Sequence, residues 1–466
     1  MKEELATRYE PSEFEQRIYA SWEKGGYFTP VVDRDRPKFS IVIPPPNVTG
    51  RLHIGHALVN TLQDIIVRWK RMSGFNTLWL PGTDHAGIAT QMVVEKQLAR
   101  EGTSRFELGR EKFVERVWQW KEQHSTEIKD QLTRLGASCD WTRERFTLDE
   151  GLSRAVRYVF VKLHDDGLIY RDLAMVNWCP RCRTAISDVE VEFRETNGKL
   201  YHVDYPIEGT DRRLTVATTR PETMLGDTGV AVHPEDERYL DLIGRNAILP
   251  IVHRAIPIVG DAILVDREFG TGVVKVTPAH DKNDYEAGLR NNLPQLQVIG
   301  ETGTMTDAAG AEFSGLDRYA AREKIVELLR EQGLLVRIDN HAHNVAVHGK
   351  CDTPIEPMIS RQWFVKIEPL ARPAIEAVRN GDVTITPQSW EATYFNWMEN
   401  IHDWTISRQL WWGHRIPAFH CPNGHTTVSM DDLTACPQCS APVTQETDVL
   451  DTWFSSGLWP FSTLGW

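Results

Sequence analysis

Between Phe39 and Gly87 the chain changes texture in an order that leaves few folds open. Phe39–Ile43 is a short apolar, β-branched run, the pattern of a buried strand. Pro44-Pro45-Pro46-Asn47-Val48-Thr49-Gly50 follows, and it cannot be helical, because proline lacks the amide hydrogen and clashes with the preceding turn. From His53 to Trp69, Leu58, Leu62, Ile65, Ile66 and Trp69 recur at helical spacing. Thr77–Leu80 is a second strand and ends in Pro81-Gly82-Thr83-Asp84-His85-Ala86-Gly87. Strand, helix and strand within this length make a βαβ unit, which predicts an α/β protein with a parallel sheet. Ligands bind such sheets beyond the carboxyl ends of the strands, where both unusual loops fall.

The remaining chain is long enough for two to four domains at roughly 100–200 residues each. From Glu190 to Asn344 short β-rich runs dominate (Leu214–Thr218, Ala247–Ile251, Ala262–Val265, Gly272–Val276), which predicts an inserted β-rich domain. The expected division is 1–190, 191–345 and 346–466. Lys plus Arg is 52 and Asp plus Glu is 65, a net charge of −13, which argues against a surface coated for nucleic acid but leaves room for a local basic groove. No apolar run is long enough to span a bilayer, so no membrane partner is expected. The charged start lacks the apolar core of a secretory signal, and its Phe14, Ile18, Tyr19 and Trp22 have helical spacing. A cytoplasmic monomer is expected. The chain stops inside the aromatic run Leu458–Trp466, which is read as part of a longer protein.

Four of the seven cysteines form two Cys-x-x-Cys pairs, which in a cytosolic chain reads as metal binding rather than disulfides. Cys179 and Cys182 pair naturally with His348 and Cys351, across an intervening 165 residues, so one tetrahedral zinc would clamp both ends of the insertion. Cys421 and His425, then Cys436 and Cys439, have zinc-ribbon spacing, with His420 as a rival ligand. Both sets look structural, since four protein ligands leave no open position.

His53-Ile54-Gly55-His56 opens the helix of the βαβ unit. Taken alone, a His-x-x-His pair is commonly just two exposed helical histidines. At a helix N-terminus after a strand and a proline–glycine loop, two imidazoles on one face suit a phosphate on which charge builds during nucleotidyl transfer. The run Pro44–Ala57 closely resembles the first signature of class I aminoacyl-tRNA synthetases. Pro81–Gln91, Ile406–His414 and Asp451–Ser456 also resemble that family, and within it the valine branch, in order along the whole chain. The resemblance implies a Rossmann-like catalytic domain, incomplete here, with an inserted editing domain and zinc-ribbon elements. It implies valine–tRNA ligase chemistry with valine, ATP with Mg²⁺, and tRNA(Val). His53 and His56 would stabilise the α-phosphate transition state, and Asn47 and Thr49 would hold the nucleotide. Asp84 would pair with the valine ammonium, a good match of carboxylate to small cation. Pro45 and Trp453 would line the side-chain pocket, positions that without the resemblance read as ordinary packing.

Thr218–Asp227 and Gly270–Tyr285 read on their own as polar loops among strands. By resemblance they form a pocket that hydrolyses threonine wrongly attached to tRNA. Such a pocket is needed because an apolar site rejects an added hydroxyl only weakly, the valine–threonine pair being the standard illustration of that limit. Thr223, Lys275, Thr277, Asp281 and Asp284 would recognise threonine and the terminal adenosine, and Arg220 would contact the nucleotide. The chain holds no Lys-Met-Ser-Lys-Ser-like loop and no anticodon-binding helices, so it is expected to activate valine poorly by itself. Two competing readings are a stand-alone aminoacyl-tRNA deacylase and a zinc-ribbon RNA-binding module using the basic run Arg68-Trp69-Lys70-Arg71. An isoleucine-type enzyme is the nearest specificity rival, and the Thr-Thr-Arg-Pro-Glu-Thr run argues against it.

Overall fold

In the computed structural model, strand β1 (Lys38–Val42) lies parallel to β2 (Asn76–Leu80) in the register Lys38↔Asn76 to Val42↔Leu80, with helix α2 (Ile54–Met72) as the crossover, following α1 (Pro11–Lys24). This is the expected βαβ unit. The structure describes residues 8–268 and 270–464; the first seven residues of the charged start, and Gly465 and Trp466 of the terminal aromatic run, lie outside them. The chain divides into two units, one built from Met1–Ile169 with Ser407–Trp466 and the other from Tyr170–Ile406.

In the first unit, α3 (Gly87–Arg100), α4 (Arg110–Leu135) and α5 (Glu150–Asp165) are the longer helices before the boundary. Its core joins Ile43, Trp79 and Leu80 to Val94, Leu98, Phe113, Ile128 and Leu132, and takes in Trp412 and Trp459 from the returning segment. Each indole buries on the order of 200 Å² and must also satisfy its N–H. Trp412 Nε1 donates to the His85 carbonyl at 2.8 Å and Trp459 Nε1 to the Ile43 carbonyl at 3.0 Å. The far segment thereby holds both loops at the strand ends.

The apolar residues that predicted α2 do not form a buried stripe. Leu58, Leu62, Ile65, Ile66 and Trp69 are all exposed, as are Ile54 at 86% and Met72 at 88%. The helix buries Val67 and Asn60 instead, and its polar side adds further ties. Arg68 pairs with Asp64 at 2.6 Å and donates to the Gly136 carbonyl; Arg71 donates to Ser138 Oγ and its carbonyl. Lys70 lies over the Phe39 and Phe75 rings. The basic run proposed for RNA is thus engaged in the fold.

The second unit runs from Tyr170 to Ile406, so it includes residues 191–345 with segments on either side. Strands β3 (Ile169–Cys179) and β4 (Thr184–Ile186) precede β5 (Val191–Pro206), β6 (Arg213–Thr218), β7 (Gly229–Val232), β8 (Asn246–Ile248), β9 (Ala255–Gly260) and β10 (Val273–Val276). Helices α6 (Lys282–Arg290) and α7 (Arg318–Glu331) lead to β11 (Leu335–His348), β12 (Glu356–Val365) and β13 (Trp404–Thr405). The sheets run β8-β9-β7-β10, β11-β5-β6 and β13-β12-β3-β4. Expected strands at 214–218 and 272–276 are present. The one at 247–251 is shorter, and 262–265 is a turn, because the Asp261 carboxylate accepts from the Ile263 and Leu264 amides and curls the chain away from a ladder.

Candidate functional sites

Parallel pairing continues past the end of β1 as Ile43 N to Leu80 O (2.9 Å), Asp84 N to Pro46 O (2.9 Å) and Val48 N to Asp84 O (3.1 Å). The rigid proline loop is therefore stitched alongside the Asp84 loop, which puts Asn47 opposite Asp84. Pro45 is half-buried and Thr49 lies in the turn that leads to α2.

His53 is the N-cap of α2 and His56 its third residue. Each imidazole accepts a backbone amide: His53 Nδ1 from Gly55 at 3.1 Å, and His56 Nδ1 from His53 at 3.2 Å. The two rings do the work of a Ser-x-x-Glu capping box, with centroids 4.0 Å apart. Burial, and then the neighbouring His53, hold the His56 pKa below the usual histidine value. With Nδ1 accepting, the neutral ring carries its proton on Nε2, so each offers an Nε2–H donor to an anion at the helix N-terminus. Periodicity placed the pair on this helix; the reciprocal cap, which fixes the tautomers, needed the fold.

Asp84 is buried, and burial raises its pKa although hydrogen bonds pull the other way. Its Oδ2 accepts from Ser456 Oγ at 2.6 Å and its Oδ1 from the Ala86 amide at 2.7 Å. Ser456 closes the short helix Thr452–Ser456, whose Trp453 is 63% exposed. Gln91 Oε1 receives the Trp411 and Trp412 amides, and Arg408 forms a buried ion pair with Asp451. The four resembling motifs thus assemble on one unit, with Ser456 a partner of Asp84 that the sequence reading missed.

In the second unit, Thr223, Lys275, Thr277 and Asp284 converge. Lys275 Nζ donates to Thr223 Oγ1 (3.2 Å), to Asp227 Oδ1 (3.1 Å) and to Thr277 Oγ1. Thr277 donates through its hydroxyl to Asp227 (2.5 Å) and through its amide to Asp284 (2.8 Å). Asp227 is fully buried and also receives the Tyr205 hydroxyl at 2.7 Å. It was passed over in the sequence, although a lysine buried between strands requires a counter-charge. Burial pushes the Asp284 carboxyl up to about 7, with Lys275 opposing and Asp281 adding to the rise. Asp281 sits apart, exposed, as the N-cap of α6, accepting from the Asn283 and Asp284 amides. Arg220 is engaged by Glu222, Glu356 and the His280 carbonyl.

Two clusters have the donors of a tetrahedral metal site. In the first, Cys179 and Cys351 Sγ are 3.5 Å apart and Cys182 and Cys351 Sγ 3.8 Å; His348 Nδ1 lies 3.2 Å from Cys351 and 3.6 Å from Cys182. In the second, Cys421 lies 3.7 Å from Cys439 and 3.5 Å from His425 Nδ1, which is 3.6 Å from Cys436. Zinc–sulfur bonds of about 2.3 Å and zinc–nitrogen bonds of about 2.1 Å need ligand-to-ligand edges of about 3.6–3.8 Å, which the second set matches and the first approaches, its Cys351–His348 edge being shorter at 3.2 Å. All of these cysteines are free thiols. His420 is not in the cluster: Glu446 and Thr426 hold its two ring nitrogens.

Residues 17–466 match the family described as tRNA synthetases class I (I, L, M and V). The chain belongs to the class I tRNA synthetases. The synthetase chain is 61% identical to a valine–tRNA ligase of Geobacter sulfurreducens, over 100% of this chain and 52% of that protein. It is 59% identical to that of Carboxydothermus hydrogenoformans and 58% identical to that of Thermotoga maritima, each over 99% of this chain. It spans about half the length of these relatives. A crystal structure of a leucyl enzyme, the Agrobacterium radiobacter K84 agnB2 LeuRS–tRNA–LeuAMS complex, is 18% identical with a TM-score of 0.49, over 98% of this chain and 60% of the other. No helix among the described residues is long and apolar enough to cross a membrane.

Proposed function

We propose that this synthetase chain carries the adenylate-forming and editing machinery of a valine–tRNA ligase. The observation that carries the reading is the assembly of His53, His56 and the Asp84 loop on one unit, in a chain 58–61% identical over 99–100% of its own length to about half of each of the three valine–tRNA ligases above. Valine would enter with its ammonium on Asp84 and its side chain toward Pro45 and Trp453. Its carboxylate oxygen attacks the α-phosphorus of Mg²⁺-bound ATP, the bond to the β-phosphate bridging oxygen breaks, and pyrophosphate leaves. The Nε2–H groups of His53 and His56 meet the charge that grows on the phosphoryl oxygens, while Asn47 and Thr49 hold the nucleotide. The valyl group then passes to tRNA(Val).

The second unit would hydrolyse threonyl-tRNA(Val). Water adds to the ester carbonyl and the ribose oxygen leaves with the proton. Thr223, Lys275 and Thr277 would present their shared hydrogen-bond network to the substrate hydroxyl, and Asp284 would meet its ammonium, with Asp281 capping the neighbouring helix. Zinc would occupy both Cys/His sets as a structural ion. At low concentration the protein would work as a cytoplasmic monomer. The test is hydrolysis of threonyl-tRNA(Val) and valyl-tRNA(Val) by this chain and its Asp284→Ala variant. Selective loss of the threonyl ester, abolished in the variant, is expected. Equal hydrolysis of both esters, or none from folded protein carrying metal, would sink the editing assignment.

A further inference from the structure

Five charged side chains of the second unit form one continuous chain of ion pairs. Glu222 and Glu356 are 1% and 3% exposed, and Arg318 is buried with them. Arg322 grips Glu222 with two bonds of 2.7 and 2.8 Å, Arg220 bridges Glu222 to Glu356, and Arg318 meets the other oxygen of Glu356 at 2.5 Å. Burial pushes the Glu222 carboxyl up, but Arg322 and Arg220 more than offset it and hold it below the usual range. All three guanidinium nitrogens of Arg220 are engaged within the protein, the third on the His280 carbonyl at 3.3 Å. This is the environment of a strut rather than of a ligand contact, because burying and pairing these charges is worthwhile only where geometry is held closely.

The chain has two ends. At one, the Arg220 carbonyl accepts both the amide and the hydroxyl of Thr223, at 3.1 and 3.0 Å, and so sets the hydroxyl that Lys275 contacts. At the other, Arg318 donates to the Pro354 carbonyl at 3.1 Å, three residues past Cys351, and its own amide donates to Gly303. The 301–303 loop is also tied to the other Cys pair, because Trp178 Nε1, next to Cys179, donates to the Glu301 carbonyl at 2.8 Å. Glu356 stands where the two ends meet.

We propose that Glu356 is a positioning residue that couples the Cys179/Cys182/His348/Cys351 metal knuckle to the deacylation pocket, by holding Arg220 and through it the Thr218–Thr223 loop. The pocket half of this rests on the editing assignment above. Coupling through a shared strut is reciprocal, so a change at either end is felt at the other.

The test is a double-mutant cycle in the full chain with Glu356→Gln, which keeps the shape and removes the charge, and Cys182→Ser, which removes a ligand. Amide exchange of residues 218–226 and kcat/KM for threonyl-tRNA(Val) are measured in all four proteins. Each single change is expected to speed exchange and lower kcat/KM by about tenfold, with the double no worse than the poorer single, while exchange of α6 stays unchanged. A merely structural role would move α6 as well. Release of zinc to a chromogenic chelator, which needs only wild type and Glu356→Gln, is expected to be about tenfold faster in the variant. Unchanged release, unchanged loop exchange, or single effects that multiply would each overturn the coupling. If the wild type fails to hydrolyse the ester, the editing assignment falls, and exchange and metal release still decide the coupling.

Discussion

Asp284 shows how one burial decides a side chain's chemistry. With its carboxyl pushed up to about 7, mainly by burial, it is neutral below that pH and a carboxylate above it. Only the carboxylate can pair with the substrate ammonium. Threonyl-ester kcat/KM is therefore expected to rise with pH and level off above about 7, a limb that reports the free enzyme. Asp284→Asn is expected to lose that limb. A wild-type limb in the ordinary carboxylate range would refute the role. Lys275, Thr277 and Asp284 were singled out only through the resemblance, and Asp227 was not singled out at all. Its importance lies in being fully buried against Lys275, Thr277 and Tyr205, which no local pattern announces.

At the scale of elements, α2 was legible in position and misleading in burial. Apolar spacing locates the helix, but spacing says only that one face is apolar, not that something covers it. The described residues leave Ile54, Leu58, Leu62, Ile65, Ile66, Trp69 and Met72 exposed along it. A contiguous apolar face of this kind drives self-association. The chain is expected to elute as concentration-dependent oligomers in size-exclusion chromatography with light scattering. Leu62→Lys with Ile66→Lys should restore a sharp monomer peak and change unfolding free energy by less than about 0.5 kcal/mol, as exposed substitutions do. A wild type that stays monodisperse at high loading would show that the face is not sticky.

For the whole molecule, the two Cys/His sets sit on different units, one in Tyr170–Ile406 and one in the returning segment Ser407–Trp466. Metal analysis is expected to give two zinc ions per chain, falling to one in Cys351→Ser and also to one in Cys436→Ser. Each loss should lower a separate thermal transition, because a structural metal contributes its binding energy to the folding of its own site. A ratio of one in the wild type would remove one of the two assignments.

What the sequence determined by itself was whatever depends on neighbours along the chain: the βαβ unit, the helix that carries His53 and His56, and the ligand spacings within each half of the metal sets. Strand alternation, helical period and knuckle turns are local geometry, so they survive without knowledge of the fold. Only the tertiary structure decided the rest. It set Ser456 on Asp84 across 372 positions and Arg220 on Glu356 across 136. It excluded His420 by giving it Glu446, and turned Asp281 into a helix cap. Those outcomes depend on which buried charge meets which partner, and the cost of leaving a buried polar group unpaired is settled by packing in space rather than by order along the chain.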